Sequence, residues 1–413
     1  MTAPAVPAPH PAPVPLVEPV EGLPRVVADP TELADAADRL AHGHGPVAID
    51  AERASGYRYG QRAYLVQLRR RGAGTVLVDP VPFTDLSGLA AAADDEWVFH
   101  AASQDLPCLG ELGMHPRTIF DTELAARLAG FPRVGLGPLV EHVLGLVLEK
   151  GHSAADWSTR PLPEPWLRYA ALDVEVLIEL RDALETELDR QGKLGWAREE
   201  FAAIAAAPPP APRADPWRRT SGLHRVHKRR QLAAVRALWE IRDRLAAERD
   251  MSPSRLLPDS AIIEAAMALP ADTAALLELP GFVGRGAKRY ARDWAGAVES
   301  ARRMPERALP PPTRPAEGPP PARSWRDRDP SAAARLADAR ARLAELAGEL
   351  ALPVENLLAP DTVRRLAWAP PQPVEAESVA AFLTEHGARA WQVRLCTELL
   401  VTALTAPTAD LRV

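Results

Sequence analysis

Val47-Ala48-Ile49-Asp50-Ala51-Glu52 is an apolar run that ends in two carboxylates at alternate positions. Side chains alternate faces along a β-strand, so this run, read as a strand, projects Asp50 and Glu52 together from one end. Carboxylates that close repel one another unless a cation neutralises them. Hard divalent ions such as Mg²⁺ and Mn²⁺, which take oxygen ligands, are the natural partners. A bare Asp-x-Glu is more often the solvated end of an ordinary strand. Its meaning turns on whether further acids follow at suitable places.

The 413 residues exceed what one core usually serves, so two or three domains are expected. A hydrophobic content of 47% and a charged content of 25% are those of a soluble globular chain. The net charge of −6 does not by itself advertise a nucleic-acid binder. Two distant cysteines, Cys108 and Cys396, argue for a reducing compartment and against a disulfide framework or a cysteine zinc site. No apolar run approaches a membrane span, and Met1 to Pro19 lacks the basic and apolar regions of a signal peptide. The expectation is a cytoplasmic protein acting as a monomer, away from membranes.

Outward from the opening run, residues 1–21 read as a disordered Pro-rich tail, and Thr31 as the N-cap of a helix through Leu40. Residues 63–68, 75–79 and 96–100 read as strands, and 86–93 as a helix. Helical periodicity then dominates over 106–112, 123–128, 136–144 and one long helix over 164–188. This is an α/β domain over 22–205. Most of the 43 prolines punctuate the remainder of the chain. Pro-rich linkers at 206–216 and 305–329, expected to act as semi-rigid spacers, separate two all-helical modules at 217–304 and 330–408. The modules share punctuation: Arg244-Leu245-Ala246 precedes Pro253 and Leu256-Leu257, and Arg342-Leu343-Ala344 precedes Pro353 and Leu357-Leu358, which suggests duplication. Both read as modules appended to the α/β domain.

Further acids do follow. Asp105 falls in the first turn of a helix that Ser103 or Gln104 begins, beside the strand ending at His100. Tyr169 and Asp173, at i and i+4, share one face of a largely apolar helix. Asp121, ahead of Glu123, is assigned to N-capping.

Asp50-x-Glu52, Phe99-His100-Ala101-Ala102-x-x-Asp105-Leu106, Trp157-Ser158-x-Arg160-Pro161-Leu162 and Tyr169-x-x-x-Asp173 resemble, in order, the motifs of the ribonuclease D family. This is the DEDDy branch of the DnaQ-like 3′→5′ exonucleases. The resemblance implies an RNase H-like fold with a mixed sheet over 22–205, followed by two small all-α HRDC-type domains, the second more diverged. It implies two divalent metal ions, Mg²⁺ or Mn²⁺, held by Asp50, Glu52, Asp105 and Asp173. Asp50 would bridge both, Glu52 and Asp173 would complete the first site, and Asp105 would support the second. Tyr169, a poor base at neutral pH, would orient the attacking water. The implied product is a nucleoside 5′-monophosphate released from the 3′ end of structured RNA such as tRNA precursors. A single-stranded DNA exonuclease of the same chemistry and a non-catalytic RNA-binding scaffold are the alternatives.

Arg53 departs from the family, in which an aromatic or aliphatic residue often follows the first-motif Glu. It joins His100, Gln104, Trp157 and Arg160 as a candidate for holding the strand. In the first helical module, residues 215–303 carry 17 Lys and Arg against 11 Asp and Glu. Lys228-Arg229-Arg230 and the turn Gly284-Arg285-Gly286-Ala287-Lys288 are expected to bind phosphate, the glycines letting backbone N–H groups approach at a helix N-terminus. The second module lacks such a turn and is expected to be architectural.

Overall fold

The computed structural model describes residues 12–149, 151–209, 211–313 and 318–407. The opening run lies inside strand β3 (His44–Arg53), the third strand along the chain and a member of a six-stranded mixed sheet. With β2 (Val26–Val27), β4 (Ala63–Arg71), β5 (Gly74–Val78), β6 (Glu96–Phe99) and β7 (Thr118–Asp121), the strand order is β2-β5-β4-β3-β6-β7. The hairpins β3-β4 and β4-β5 are antiparallel, whereas β6 and β7 add in parallel. Gly72 and Gly74, at φ +82° and +74°, take the left-handed conformation that closes the second hairpin tightly.

Helix α1 (Pro30–His42) is capped by Asp29, not Thr31, because the Asp29 carboxylate reaches the N–H groups of Thr31 and Glu32. Helices α2 (Ser87–Ala92), α3 (Leu106–Gly110), α4 (Thr122–Leu128) and α5 (Leu136–Leu144) follow the expected order. The helix expected over 164–188 is two helices, α6 (Glu164–Glu175) and α7 (Leu177–Arg190), parted where Val176 leaves helical hydrogen bonding. Helix α6 lies across β3, β4 and β5, and α8 (Leu194–Ala205) follows α7.

Part of the expected N-terminal tail is structured. Strand β1 (Val14–Leu16) pairs in parallel with β8 (Leu146–Leu148), and Glu18 binds Arg168 at 2.9 Å. Backbone pairing and ion pairs hold a segment whose composition alone points to disorder. Residues 1–11 lie outside the described residues.

The first helical module is built on α9 (Arg229–Glu248), α11 (Asp259–Ala268) and α14 (Ala291–Arg303), with the short helices α10 (Pro253–Leu256), α12 (Thr273–Leu277) and α13 (Arg285–Arg289) between them, around its own core. The second comprises α15 (Trp325–Arg328), α16 (Pro330–Glu349), α17 (Val354–Leu357), α18 (Pro360–Trp368), α19 (Ala376–Glu385) and α20 (Ala390–Thr405). This second module is no appendage. Its core runs continuously into that of the α/β domain. Trp391 stacks on Trp196 of α8 at 4.9 Å and donates from Nε1 to Glu200, while its backbone N–H donates to Glu199.

The second Pro-rich segment is not a free spacer either. Arg229 donates to the carbonyls of Glu306, Leu309 and Pro310, and Arg364 to that of Pro319. Proline-rich chain exposes carbonyls without matching N–H donors, and arginine forks satisfy them. Pro210 and residues 314–317 lie outside the described residues, as do residues 408–413.

Candidate active site

Asp50 and Glu52 face α6 from the same side of β3, and Asp173 comes down from that helix. One carboxylate oxygen from each lies within 4.8 Å of the others. Asp105, at the start of α3, and Tyr169, one turn before Asp173, line the same cavity of about 560 Å³ with Arg53, His100, Gln104 and Arg133.

The charges are out of balance. Burial, then the charges of Asp50, Asp173 and Asp105, push the Glu52 carboxyl up to about 10. Burial and Asp50 push Asp105 to about 8, and burial raises Asp50 and Asp173 above the usual carboxylate range. Four acids in one partly buried space strain to hold protons, which is the signature of a site that takes a cation. The donors are all carboxylate oxygens, with no thiolate or imidazole among the three that converge. That set fits a hard divalent ion.

Asp105 owes its position to a residue that spacing alone assigned only to capping. The Asp121 carboxylate caps α4 through the N–H groups of Glu123 and Leu124, at 3.0 and 3.2 Å. It also accepts from the N–H groups of Ala101 and Ala102, at 3.1 and 2.9 Å. Ala101 sits in the left-handed region at φ 67°, so one carboxylate holds the strained turn that aims Asp105.

Tyr169 is held by an aromatic group. Trp157 and His152 pack 6.5 and 5.9 Å from it, and Trp166 lies 5.5 Å from Trp157. Burial and the charge of Asp173 raise the Tyr169 hydroxyl above its ordinary value, so it keeps its proton. Trp157 is fully buried and not free to stack on a base; its part is to support Tyr169. Arg160 is likewise not free for phosphate. Its guanidinium grips Asp79 at 2.6 and 2.7 Å and donates to the carbonyls of Tyr64, Trp157 and Thr159. The planar fork is consumed in tying this segment to β4.

His100 stands at the cavity, and burial lowers it to about 4, so it is neutral at pH 7. The Thr122 hydroxyl donates to the Phe99 carbonyl and so accepts from His100 Nδ1 at 2.9 Å, which leaves Nε2 as an acceptor. Gln104 also lines the cavity, and its backbone carbonyl accepts from Arg53. Arg133, a cavity cation, carries no motif by which spacing could have found it.

In the first helical module, Arg229 serves the proline-segment carbonyls and Arg230 those of Ala301, Arg302 and Met304, so neither is the free phosphate ligand expected. Lys228, Arg285 and Lys288 are exposed. Neither Gly284 nor Gly286 has the positive φ that requires glycine. Gly284 has φ −69°, and the helix it precedes has only five residues. Gly281 is demanded by packing, since a Cβ there would lie 2.6 Å from that of Ala261.

This module also grips the α/β domain. The loop after β3 binds it through Tyr57, whose carbonyl accepts from Ser252 N–H at 2.9 Å, and through Tyr59, whose hydroxyl donates to Asp243 at 3.2 Å. Arg58 of the same loop reaches Ser158 at 2.8 Å, beside the Trp157 segment.

Residues 24–189 match a family model described as 3′-5′ exonuclease, and residues 231–298 match the HRDC domain. Residues 318–404, where a second HRDC-like module was expected, match the 3′ to 5′ exonuclease C-terminal domain. Ribonuclease D of Gluconacetobacter diazotrophicus is 37% identical over 288 residues, covering 67% of this chain and 71% of that protein. A crystal structure of a protein from Bifidobacterium adolescentis superposes with a TM-score of 0.87 at 40% identity, covering 95% of this chain and 99% of that one. The crystal structure of Escherichia coli RNase D, described as an exoribonuclease involved in structured RNA processing, gives 0.65 at 26% identity over 87% and 97%.

Proposed function

Because the chain belongs to the ribonuclease D family, we propose that it hydrolyses RNA stepwise from the 3′ end, releasing nucleoside 5′-monophosphates, and that it acts in tRNA 3′ processing or general RNA turnover. The observation that carries this reading is the convergence of Asp50, Glu52 and Asp173 within 4.8 Å beneath Tyr169, with Asp105 in the same cavity.

Asp50, Glu52, Asp105 and Asp173 would hold two divalent ions, Mg²⁺ or Mn²⁺. Such ions supply the Lewis acidity that activates water and steadies the departing 3′-oxygen. The chain's own residues do the rest. Tyr169 keeps its proton and stands one turn from Asp173, suited to holding the attacking water by a hydrogen bond. His100, neutral and with Nε2 free to accept, suits a sugar hydroxyl of the terminal nucleotide. Arg133 and Arg53 bring positive charge to a cavity that must admit a phosphodiester. Exposed Lys228, Arg285 and Lys288 support sequence-tolerant, salt-sensitive strand binding by the HRDC module. Among the described residues no helix is long and apolar enough to cross a membrane.

The test uses single-stranded RNA labelled at its 5′ end, with Mg²⁺ or Mn²⁺. A ladder shortening from the 3′ end with mononucleotide products is expected, with EDTA stopping it. Asp50→Ala and Asp173→Ala should each abolish turnover while the protein stays folded. Degradation of DNA but not RNA would overturn the substrate assignment. Degradation of neither would overturn the catalytic one.

A further inference from the structure

Three of the four acids converge and the fourth does not. Asp105 is absent from the set of carboxylates within 4.8 Å of one another. Its Oδ1 lies 3.5 Å from the Arg53 guanidinium, and the same guanidinium donates to the neighbouring Gln104 carbonyl at 2.5 Å. The pair is sheltered, with the Arg53 side chain 25% and the Asp105 side chain 6% exposed.

Strand geometry explains how an arginine comes to be there. Residue i+1 on a regular strand faces away from residue i, so Arg53 should point opposite to Glu52. The pairing of β3 with β4 shifts register between Glu52 and Arg53. Such an irregularity re-aims a side chain, and Arg53 lines the acidic cavity beside Glu52. Its charge lowers Asp50, Glu52 and Asp105 against the rise that burial imposes on each.

We propose that Arg53 is a built-in counter-cation that engages Asp105 in the substrate-free enzyme and surrenders it when the substrate's terminal phosphate arrives, so that the second divalent ion binds only with substrate. A guanidinium prefers a phosphate, which it can grip with two parallel N–H donors, to a single carboxylate contact at 3.5 Å. Its flexible stem lets it pivot from one to the other. The freed Asp105 carboxylate is then available to a cation. Arg53 is thus a positioning residue that couples occupancy of the site by nucleotide to completion of the metal set. The departure from the aromatic or aliphatic residue of the family acquires a function.

The proposal rests on the metal-dependent reading above, and the experiment separates the two. Full-length, metal-free protein is titrated with Mn²⁺, the free ion being read by electron paramagnetic resonance, with and without uridine 5′-monophosphate as the phosphate probe. Wild type should take up one Mn²⁺ per chain alone and a second once the nucleotide is present. Arg53→Gln should bind two without nucleotide, the second at least tenfold more tightly than in nucleotide-free wild type. Arg53→Lys, which keeps a charge beside Asp105, should retain the wild-type dependence. Asp105→Asn should bind one ion under either condition, which places the second site. Superimposable isotherms for wild type and Arg53→Gln, or a wild-type second ion indifferent to nucleotide, would overturn the role of Arg53. Failure of wild type to bind any Mn²⁺ would overturn the metal reading itself.

Discussion

Replacing Asp121 with asparagine should loosen the loop that carries Asp105 and slow cleavage, although residue 121 touches no substrate. The carboxylate accepts four backbone N–H groups: Oδ1 those of Ala101, Glu123 and Leu124, and Oδ2 that of Ala102. It is 3% exposed, so water does not readily substitute. Asparagine keeps the shape but offers one acceptor oxygen, and its NH₂ group must face an N–H donor. At least one buried amide is orphaned, at about 1–3 kcal/mol, and the remaining bonds lose their ionic reinforcement. Ala101 is held in a left-handed conformation that costs about 1–2 kcal/mol when unsupported. The local cost is therefore about 2–3 kcal/mol, which corresponds to amide exchange at Ala101 and Ala102 faster by roughly 30- to 150-fold. Hydrogen exchange read by mass spectrometry on peptides spanning 99–106 reports this directly. Turnover of a short RNA should fall about 10- to 100-fold, because Asp105 is no longer aimed. Exchange and turnover both within twofold of wild type would refute the claim that this carboxylate holds the turn.

Three further outcomes are expected. Glu52 and Asp105 are raised in the folded chain, to about 10 and about 8. Metal-free protein then holds more protons folded than unfolded. The contribution of these two groups to stability is greatest below pH 4 and declines as pH rises toward 10, so the thermal-shift gap between Mn²⁺-loaded and EDTA-treated protein should widen from pH 5 to 9. A constant gap would contradict it. Trp391→Ala removes a fully buried stack and a donor to Glu200, and about 3–5 kcal/mol should be lost in thermal or urea unfolding; a loss under 1 kcal/mol would show that the two domains do not rely on each other there. Tyr169→Phe deletes the hydroxyl while keeping the ring among its aromatic neighbours, so kcat should drop about 100-fold with KM little changed. A rise in KM alone would instead assign that hydroxyl to substrate binding.

How much the amino-acid sequence disclosed depends on the range of each signal. Alternation along Val47–Glu52 and the i, i+4 pair Tyr169 and Asp173 are local patterns, and both elements are where periodicity places them. Strands β1 and β8 are three residues long each, too short for alternation to register. The break at Val176 interrupts a continuous apolar pattern without glycine or proline, so nothing local marks it. Arg160, Trp157, Arg229 and Arg230 carry side chains that bind RNA when exposed and brace the fold when buried, and composition does not distinguish the two. Asp121 disclosed its cap because that bond spans two or three residues. Its hold on Ala101 and Ala102 spans about twenty and was invisible. The docking of α20 on α8 is longer in range still.

That docking ties the catalytic domain to the order of synthesis. Glu199 and its partner Trp391 are 192 residues apart, so α8 emerges from a ribosome long before its cover does. At about 5–20 residues per second the interval is roughly 10–40 s. Throughout it α8 rests on β7 through Phe201 and Phe120, but Trp196 lacks the ring that will stack on it. A nascent chain at this stage carries all four acids of the candidate site yet lacks the outer wall of its own core. Translational pausing before residue 391 would prolong that unguarded state. A ribosome stalled on a damaged message would hold a nuclease without the wall that completes its core.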